Sequence, residues 1–407
     1  MASKTKKPKS SPEPLQPEPE EDILPAPASD PKPEVHSDQP AQPASPTQPK
    51  VVKTPGPKPK RVIPVWAWVA IGIIVLGGAA ALGFMFNRPT TTDTTNQPLN
   101  QNTNTTQLVP RLLDGVLVPP DQAKSNTYAV MIENEISSRP PSALDKASVV
   151  YSALAEGGIT RFMALYPVGG EKLAQIGPVR SARPYFITEA EEYKALYVHA
   201  GGSPQALSYL KSSKSNVVDF NQFSHGGNFI RDDSRAAPHN LYTDSDKLFL
   251  GLKQMAPNLT PTYTSWTFKD EAAFDTRPTT VNDIVINYSA FNYKVKYTYD
   301  RVQNRYQRFQ ADKAHVTRQG DQIYAKDVIV EFVKTGLIPG EKQRLQMELV
   351  GTGRMLLFRD GAAIEGTWKK DSNTGRTQFL DKDGNTLALN PGPIWIELVP
   401  TDRTVTY

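Results

Sequence analysis

Three apolar runs follow one another in the middle of the chain: YAVMI at residues 128–132, SVVYSAL at 148–154 and RFMALY at 161–166. Their length and their β-branched and aromatic content are typical of buried strands. Further patterns then alternate along the sequence: a helix over 184–194, a strand over 196–199 and a helix from residue 204. This alternation predicts a mixed α/β layer over residues 108–255.

The second half of the folded region has a different pattern, with short strands separated by turn dipeptides. Hairpin signals and apolar runs alternate there: RMLLF at 354–358, Asp360-Gly361, Asp383-Gly384 and IWIEL at 394–398. They predict a mostly antiparallel β domain over 281–407, joined to the first half by a connection over 256–280. The predicted fold class is therefore α+β or mixed α/β, with an N-terminal mixed α/β half and a C-terminal mostly antiparallel β domain.

The first hundred residues predict a tail, a membrane span and a stalk. Residues 1–61 are rich in Pro, Lys, Glu and Ser, a composition that indicates a disordered tail. Residues 62–86 carry no charge and as a helix would reach ~37 Å, enough to cross a bilayer. Basic residues precede this span, which predicts a single-pass membrane protein with its N-terminus in the cytoplasm. The polar composition of residues 87–107 predicts a flexible stalk that leads to an extracytoplasmic domain.

Composition excludes several classes of function. The 46 basic and 42 acidic residues give a net charge of only +4, which argues against nucleic acid as a partner. The chain has no cysteine, which excludes disulfides, thiolate catalysis and a lipidated cysteine anchor. No nucleophile elbow, phosphate-binding loop or dinucleotide fingerprint occurs in the sequence.

The first candidate site is GPVRSARP at residues 177–184, where a strand is expected to end and a helix to begin. Arg180 and Arg183 would lie beside the free N–H groups of the first helical turn, with Ser181 as its cap. Arg161 is expected on an adjacent strand. This pattern predicts an anion site, and the alternative is that Arg180 and Arg183 form structural ion pairs with nearby carboxylates such as Glu189 or Glu156.

The second candidate site is the Gly201-Gly202 turn, followed by Ser203 as the cap of the helix from residue 204. A glycine turn lets the backbone approach a phosphate or carboxylate closely. The alternative is plain turn geometry, with His199 as a hydrogen-bonded core histidine.

The third candidate site is the loop over residues 228–240, which carries charges, a histidine and an amide without strong periodicity. Arg231, Arg235 and Asn240 are its candidate anion ligands, and His239 and Asp232 are its candidate catalytic acid or base. A solvated loop with local ion pairs is the alternative. The five scattered histidines argue against a metal site, so we expect no cofactor; a magnesium held through phosphate and Glu156 or Asp232 stays open.

Three long motifs resemble the YerB-like family of bacterial envelope proteins, which carries the label domain of unknown function 3048 in an N-terminal and a C-terminal part. They are AEGGITRFMA at 155–164, IGPVRSARPYF at 176–186 and VHAGGSPQ at 198–205. The resemblance covers about residues 110–400 and implies a two-part extracytoplasmic domain without implying a reaction. Many members look like lipoproteins, whereas this chain has no cysteine to carry the lipid.

Two classes of function fit these observations. The first is a binding or scaffold protein of the cell envelope that holds an anionic wall polymer or a partner protein through an arginine-rich cleft. The alternative is a phosphotransferase or hydrolase that acts on polyprenyl-phosphate-linked or phosphodiester wall polymers. A limited likeness of Val179-Arg180-Ser181 and Gly201-Gly202 to the LytR-CpsA-Psr phosphotransferases favours this alternative, although their aspartate and arginine pattern is not reproduced around Arg180. Whether the protein is an enzyme stays open.

Overall fold

The computed structural model describes residues 107–341 and 343–407. The predicted tail, the predicted transmembrane helix at 62–86 and nearly all of the predicted stalk lie outside the described residues. Within the described residues, no helix has both the length and the apolar character that a membrane crossing needs.

The first half of the described region combines strands with three α-helices. The helices are α1 (Pro184–Glu191), α2 (Pro204–Leu210) and α3 (Ser245–Met255). The strands are β1 (Val109–Pro110), β2 (Leu117–Val118), β3 (Thr127–Glu133), β4 (Val149–Leu154), β5 (Thr160–Pro167), β6 (Leu196–His199), β7 (Val218–Asn221), β8 (Ile230–Arg231) and β9 (Leu241–Tyr242).

The second half is built from strands and short 3-10 turns. Its strands are β10 (Ile284–Asn287), β11 (Lys294–Asp300), β12 (Arg305–Gln310), β13 (Lys313–Ala314), β14 (Tyr324–Ala325), β15 (Asp327–Val333), β16 (Thr335–Leu337), β17 (Leu345–Met347), β18 (Gly351–Arg359), β19 (Ala362–Lys370), β20 (Gln378–Asp381), β21 (Ile394–Pro400) and β22 (Val405–Thr406). The 3-10 turns of the whole described region are Pro120–Gln122, Ile136–Ser138, Leu144–Lys146, Glu156–Gly158, Gly226–Asn228, Phe274–Thr276 and Phe291–Tyr293.

A mixed ten-stranded sheet in the order β20-β19-β18-β15-β21-β4-β5-β3-β6-β7 forms the centre of this region. Strands β15, β21 and β4 run parallel, as do β3, β6 and β7, while β5 is antiparallel to both of its neighbours. A six-stranded sheet is built from β10 to β14 and β22.

The central sheet is covered on both faces, which explains its continuous apolar strands. All residues of β3, β15 and β21 are buried. On one face, Val130 belongs to the same core cluster as Leu248 of α3 and Ile286 of β10. On the other face, Met131 belongs to the same cluster as Phe186 of α1.

The two halves of the sequence share this central sheet, which differs from the expectation of a separate, mostly antiparallel β domain over 281–407. Strand β21 lies between β15 and β4 and is parallel to both. The reason is its sequence, IWIELVP, which is apolar on both faces apart from Glu397 and therefore has to be covered from both sides. The described residues, 107–341 and 343–407, accordingly belong to one compact unit.

A buried cluster of charges joins α1 to β19. Nζ of Lys370 contacts Glu192 and lies 3.6 Å from Oε2 of Glu189, and Nη1 of Arg376 lies 3.2 Å from Glu192. Burial raises the pKa of Glu189 to about 8, and burial likewise raises the pKa of the nearby Glu331 well above its usual value. Three carboxyl groups therefore face two cations here, and burial favours a proton on Glu189 and on Glu331.

Candidate functional site

A cleft of about 600 Å³ lies where the parallel strands β3, β6 and β7 end. The loops that follow β6 and β7 form much of its wall, together with the segment around Arg180 that precedes α1. The carboxyl ends of parallel strands are the usual place for ligands in sheets of this kind. We call this site the cationic cleft.

Three cationic side chains, those of Arg180, Lys211 and Arg231, line the cationic cleft. Among the described residues that line it, none is acidic. Lys211 and Arg231 are exposed, and Arg180 is 28% exposed. Three cations on a wall without carboxylates attract a ligand that carries negative charge.

Arg180 is held by a carboxylate behind the cleft wall. Its Nε lies 2.8 Å from Oε1 of Glu133, the last residue of β3, and that side chain is only 4% exposed. Oε2 of Glu133 lies 2.9 Å from Nδ1 of His239. Nε2 of His239 lies 3.9 Å from Glu135, beyond hydrogen-bond distance. One buried carboxylate therefore orients both Arg180 and His239.

Arg161 and Arg183 do not line the cationic cleft, because both turn toward Glu156. Arg183 makes a two-point contact with the Glu156 carboxylate, in which Nη2 donates to Oε2 at 2.6 Å. Nη1 of Arg161 donates to the backbone oxygen of Ser181 at 2.9 Å. Burial lowers the pKa of Arg161 to about 10, which still leaves it protonated. For Arg183 the structure has the ion pair with Glu156 that formed the alternative interpretation, and Arg180 is also paired, but with Glu133 rather than with Glu189 or Glu156.

The glycine turn after β6 is tied to the loop after β7. Oδ1 of Asn221 accepts from the backbone N–H of Gly201 at 3.1 Å and from that of Phe223 at 3.2 Å. Gly201 has a φ of +64°, a left-handed conformation that favours glycine. His199 is fully buried, with Nδ1 2.7 Å from the Gly201 oxygen and Nε2 2.7 Å from Asp219. The turn thus lines the cleft, and His199 fixes it from the core.

The predicted capping residue is confirmed for α2 and is wrong for α1. Oγ of Ser203 accepts from the N–H of Ala206 at 3.3 Å, which confirms the predicted cap of α2 and leaves Ser203 buried outside the cleft lining. At α1 the capping position is Arg183, without a side-chain hydrogen bond. Ser181 lies too early in the chain to cap α1 and lines the cleft instead.

The loop over 228–240 contributes one of its candidate ligands to the cleft wall, Arg231. The amide of Asn240, which is buried, accepts from Nη1 of Arg231 at 2.7 Å. Arg235 instead donates to the hydroxyl of Tyr242 at 2.9 Å and to a backbone oxygen. The partner that holds Arg231 at the cleft is therefore a neutral amide, and this contact does not compensate the charge of the guanidinium.

Asp232 is engaged away from the cleft. It forms an ion pair with Arg318, and Ser234 N–H donates to Oδ1 at 2.9 Å. The hydrogen bonds from Ser234 and Arg318 hold the pKa of Asp232 well below its usual range. The carboxylate therefore stays ionised, which does not suit it to donate or take up a proton near neutral pH. His239, the other candidate acid or base, does not line the cleft, although its neighbour Pro238 does, and it is joined to the cleft wall through the Glu133 carboxylate that it shares with Arg180.

Within the described part of the chain, no three His, Asp or Glu side chains are arranged so that they could hold a metal ion. The oxygens of Glu156 face Arg183, and Asp232 faces Arg318. Both carboxylates considered for magnesium thus already have a cation beside them.

Sequence reasoning missed several residues of the cleft. Lys211 follows the last residue of α2, Asn221 ends β7, and Phe223 stands two positions later. The available signal was position, since a polar residue at the end of a parallel strand commonly faces a ligand. Glu133 also ends a strand, but its pairing with Arg180 and His239 spans distant parts of the chain and leaves no local pattern.

Comparisons with known proteins agree with the resemblance seen in the motifs. Models of the family "Protein of unknown function (DUF3048)" match residues 113–257 with the N-terminal domain and 284–396 with the C-terminal domain. A relative from Bacillus subtilis (strain 168), "Putative lipoprotein YerB", is 31% identical over 292 residues, which cover 71% of this chain and 85% of the relative. The crystal structure of the YerB protein from Bacillus subtilis is similar, with a TM-score of 0.65 and 29% identity over 74% of this chain and 100% of that chain. This chain therefore belongs to the YerB-like DUF3048 family.

Proposed function

We propose that this protein is a membrane-anchored, extracytoplasmic envelope protein whose cationic cleft binds an anionic polymer of the cell envelope. The observation that carries the proposal is the set of three cations, Arg180, Lys211 and Arg231, on a wall without acidic residues. A guanidinium donates two parallel hydrogen bonds to a phosphate or carboxylate, and an ammonium acts as a point charge.

The cleft is prepared for such a ligand before binding. Glu133 orients Arg180, Asn240 orients Arg231, and Asn221 ties the glycine turn to the neighbouring loop. Groups that are already fixed lose little conformational freedom when a ligand arrives. The paired charge of Glu133 lowers the local excess of positive charge, but it lies behind the wall and leaves Lys211 and Arg231 uncompensated.

The envelope location is supported by two further observations. The relative YerB is named as a lipoprotein, a class of protein that is anchored to a membrane by lipid. This chain lacks cysteine and has instead the uncharged stretch at 62–86, which we propose as its anchor. Tethering places the cleft close to the polymers that surround the membrane.

Titration calorimetry of the full-length chain with linear polyphosphate tests the proposal. The double variant Lys211→Ala/Arg231→Ala leaves the buried contacts of Arg180 intact and is expected to bind about tenfold or more weakly, since charged hydrogen bonds contribute about 1 kcal/mol or more each. The matched control is Lys334→Ala/Arg354→Ala, which also removes one exposed lysine and one exposed arginine, both outside the cleft lining.

The polyphosphate affinity of the control variant shows whether binding depends on the cleft. Equal losses in the two double variants would mean that polyphosphate binds to the surface charge in general, and the cleft would lose its role. Binding should also weaken steeply with added salt, because exposed charges are screened.

A second candidate function is hydrolysis or transfer at a phosphodiester of such a polymer, and the contact between Glu133 and His239 favours it. A carboxylate that orients an imidazole beside a phosphate-binding arginine is a common arrangement for a general base. In hydrolysis His239 would take a proton from water while the water oxygen bonds to phosphorus; the bond from phosphorus to the leaving oxygen would break, and the imidazolium would return its proton to that oxygen.

Measuring substrate turnover distinguishes the two candidate functions. If the protein is a hydrolase, the full-length chain releases nitrophenol from bis(4-nitrophenyl) phosphate, and His239→Ala stops the release while polyphosphate still binds. A binding protein gives no release from the wild type, and His239→Ala changes neither measurement.

A further inference from the structure

Phe223 stands in the cationic cleft with its ring largely in solvent. The side chain is 78% exposed, the highest fraction among the exposed large apolar side chains of the described residues. Leaving a phenylalanine side chain exposed forgoes a burial free energy of about 2 kcal/mol. A single exposed apolar residue is ordinary on a protein surface, so the interest of Phe223 lies in its neighbours.

The position of Phe223 is fixed by the glycine turn and by Asn221. Its backbone N–H donates to Oδ1 of Asn221, which also accepts from Gly201. A Cβ atom placed on Gly201 would lie only 2.9 Å from Cε2 of Phe223, so the ring rests against the glycine backbone. The backbone of the residue is therefore anchored, one part of the ring is supported, and the remainder is free to contact a ligand.

The surroundings of the ring combine charge with neutral polar groups. Arg180, Lys211 and Arg231 supply positive charge, and the loop that carries Phe223 also presents Gln222 and Ser224 to the cleft. An apolar ring suits the C–H face of a sugar, amide and hydroxyl groups suit sugar hydroxyls, and the cations suit a phosphate.

We infer that the ligand of the cationic cleft is built from sugar phosphate units, in which the phosphate contacts the cations and the sugar ring stacks on Phe223. This inference rests on the proposed function and specifies its substrate class. A nucleotide is the competing ligand, since a base also stacks on an aromatic ring. The sugar is favoured because the described residues give the cleft lining one aromatic ring, with amide and hydroxyl side chains beside it that match sugar hydroxyl groups, whereas base recognition commonly uses further aromatic stacking partners.

The test compares ligands in NMR titrations of the full-length chain. The probes are inorganic phosphate, glycerol 3-phosphate, glucose 1-phosphate and AMP. Glucose 1-phosphate is expected to bind about fivefold to tenfold more tightly than glycerol 3-phosphate, which has the phosphate but no ring. Phe223→Ala should remove this difference and leave inorganic phosphate unchanged, and Phe223→Tyr should restore it. Phe291→Ala is the matched control, since Phe291 is 60% exposed and does not line the cleft.

Each result bears on one claim. Equal binding of glucose 1-phosphate and glycerol 3-phosphate by the wild type would overturn the sugar phosphate inference, while phosphate binding that depends on Lys211 and Arg231 would leave the proposed function standing. Tighter binding of AMP through Phe223 would also overturn the inference and reassign the ligand to nucleotides. Loss of glucose 1-phosphate selectivity in Phe291→Ala as well would assign the effect to general surface contacts and contradict the role of Phe223.

Discussion

Nε of Arg180 lies 2.8 Å from Oε1 of Glu133, so a cation of the cleft wall is held by a carboxylate from the end of the adjacent buried strand. The same carboxylate contacts His239 through its other oxygen. A strand end, the segment before α1 and a distant loop therefore meet at one side chain. This arrangement fixes the orientation of Arg180 in the cleft wall and ties the cleft to the core of the central sheet.

The pair predicts a stability effect that can be separated from binding. Arg180→Ala leaves Glu133, which is 4% exposed, without its guanidinium partner, and we expect a loss of about 2 kcal/mol in the free energy of unfolding. Adding Glu133→Gln removes the buried charge and should recover part of that loss. Urea unfolding of the two variants measures both values. If Arg180→Ala alone is as stable as the wild type, the contact between Arg180 and Glu133 does not stabilise the fold.

Arg183 is predicted to support the fold rather than the ligand. Arg183→Ala breaks the two-point contact with Glu156, whose side chain is 26% exposed, and should lower the free energy of unfolding by about 2 kcal/mol. Polyphosphate affinity, measured by calorimetry below the unfolding temperature, should stay within about twofold of the wild type, because Arg183 does not line the cleft. A large loss of affinity with unchanged stability would reverse this assignment.

The buried charge cluster predicts a dependence of stability on pH. Burial raises the pKa of Glu189 from 4.5 to about 8 in the folded protein, so the folded state holds this proton more strongly than the unfolded state. The stability from this group is complete below about pH 4.5 and is lost as the pH rises to about 8. Glu189→Gln cannot lose a proton, so its stability relative to the wild type should rise over this range.

Denaturant unfolding at pH 5, 7 and 9 checks this prediction. The groups that face Glu189 are Lys370, Glu192 and Glu331, and they are the same in both proteins. Glu365→Gln serves as the control, because Glu365 is 70% exposed. Parallel pH profiles for the wild type and Glu189→Gln would show that Glu189 is ionised throughout.

The shared sheet predicts that the two halves of the folded region unfold together. Strand β21 lies between β15 and β4. The first half of the folded region by itself would therefore leave one edge of β4 without its partner β21. Scanning calorimetry of the full chain should give one transition for residues 107–407, with equal calorimetric and van't Hoff enthalpies. Two resolved transitions that map to 108–255 and 281–407 would instead show two independently stable domains.

Local patterns in the sequence predicted the local structure well. The runs at 128–132, 148–154 and 161–166 became β3, β4 and β5, and Pro184 and Pro204 begin α1 and α2. These features depend on neighbours in the sequence, through apolar period, capping and proline geometry. The parallel insertion of β21 could not be predicted, since the pairing partner of a doubly apolar strand is decided by contacts far along the chain.

The candidate site was predicted in part for the same reason. Arg180, Arg231 and the Gly201-Gly202 turn do meet in one cleft, but Arg161 and Arg183 turn to Glu156, which no spacing rule distinguishes from a ligand-facing orientation. Lys211 and Phe223 carry no motif and enter the cleft only through the fold. The residue types predicted an anion site, and the packing determined which of the arginines line the cleft.

Crystallography of a bound oxyanion is the sharpest test of whether the cationic cleft binds anions. Crystals of the protein soaked in tungstate would reveal the ion by its anomalous scattering. We expect a tungstate within hydrogen-bond distance of Arg180 and Arg231, and no ion at that place in the Lys211→Ala/Arg231→Ala variant. Tungstate bound elsewhere while the cationic cleft stays empty would show that the cleft is not an anion site.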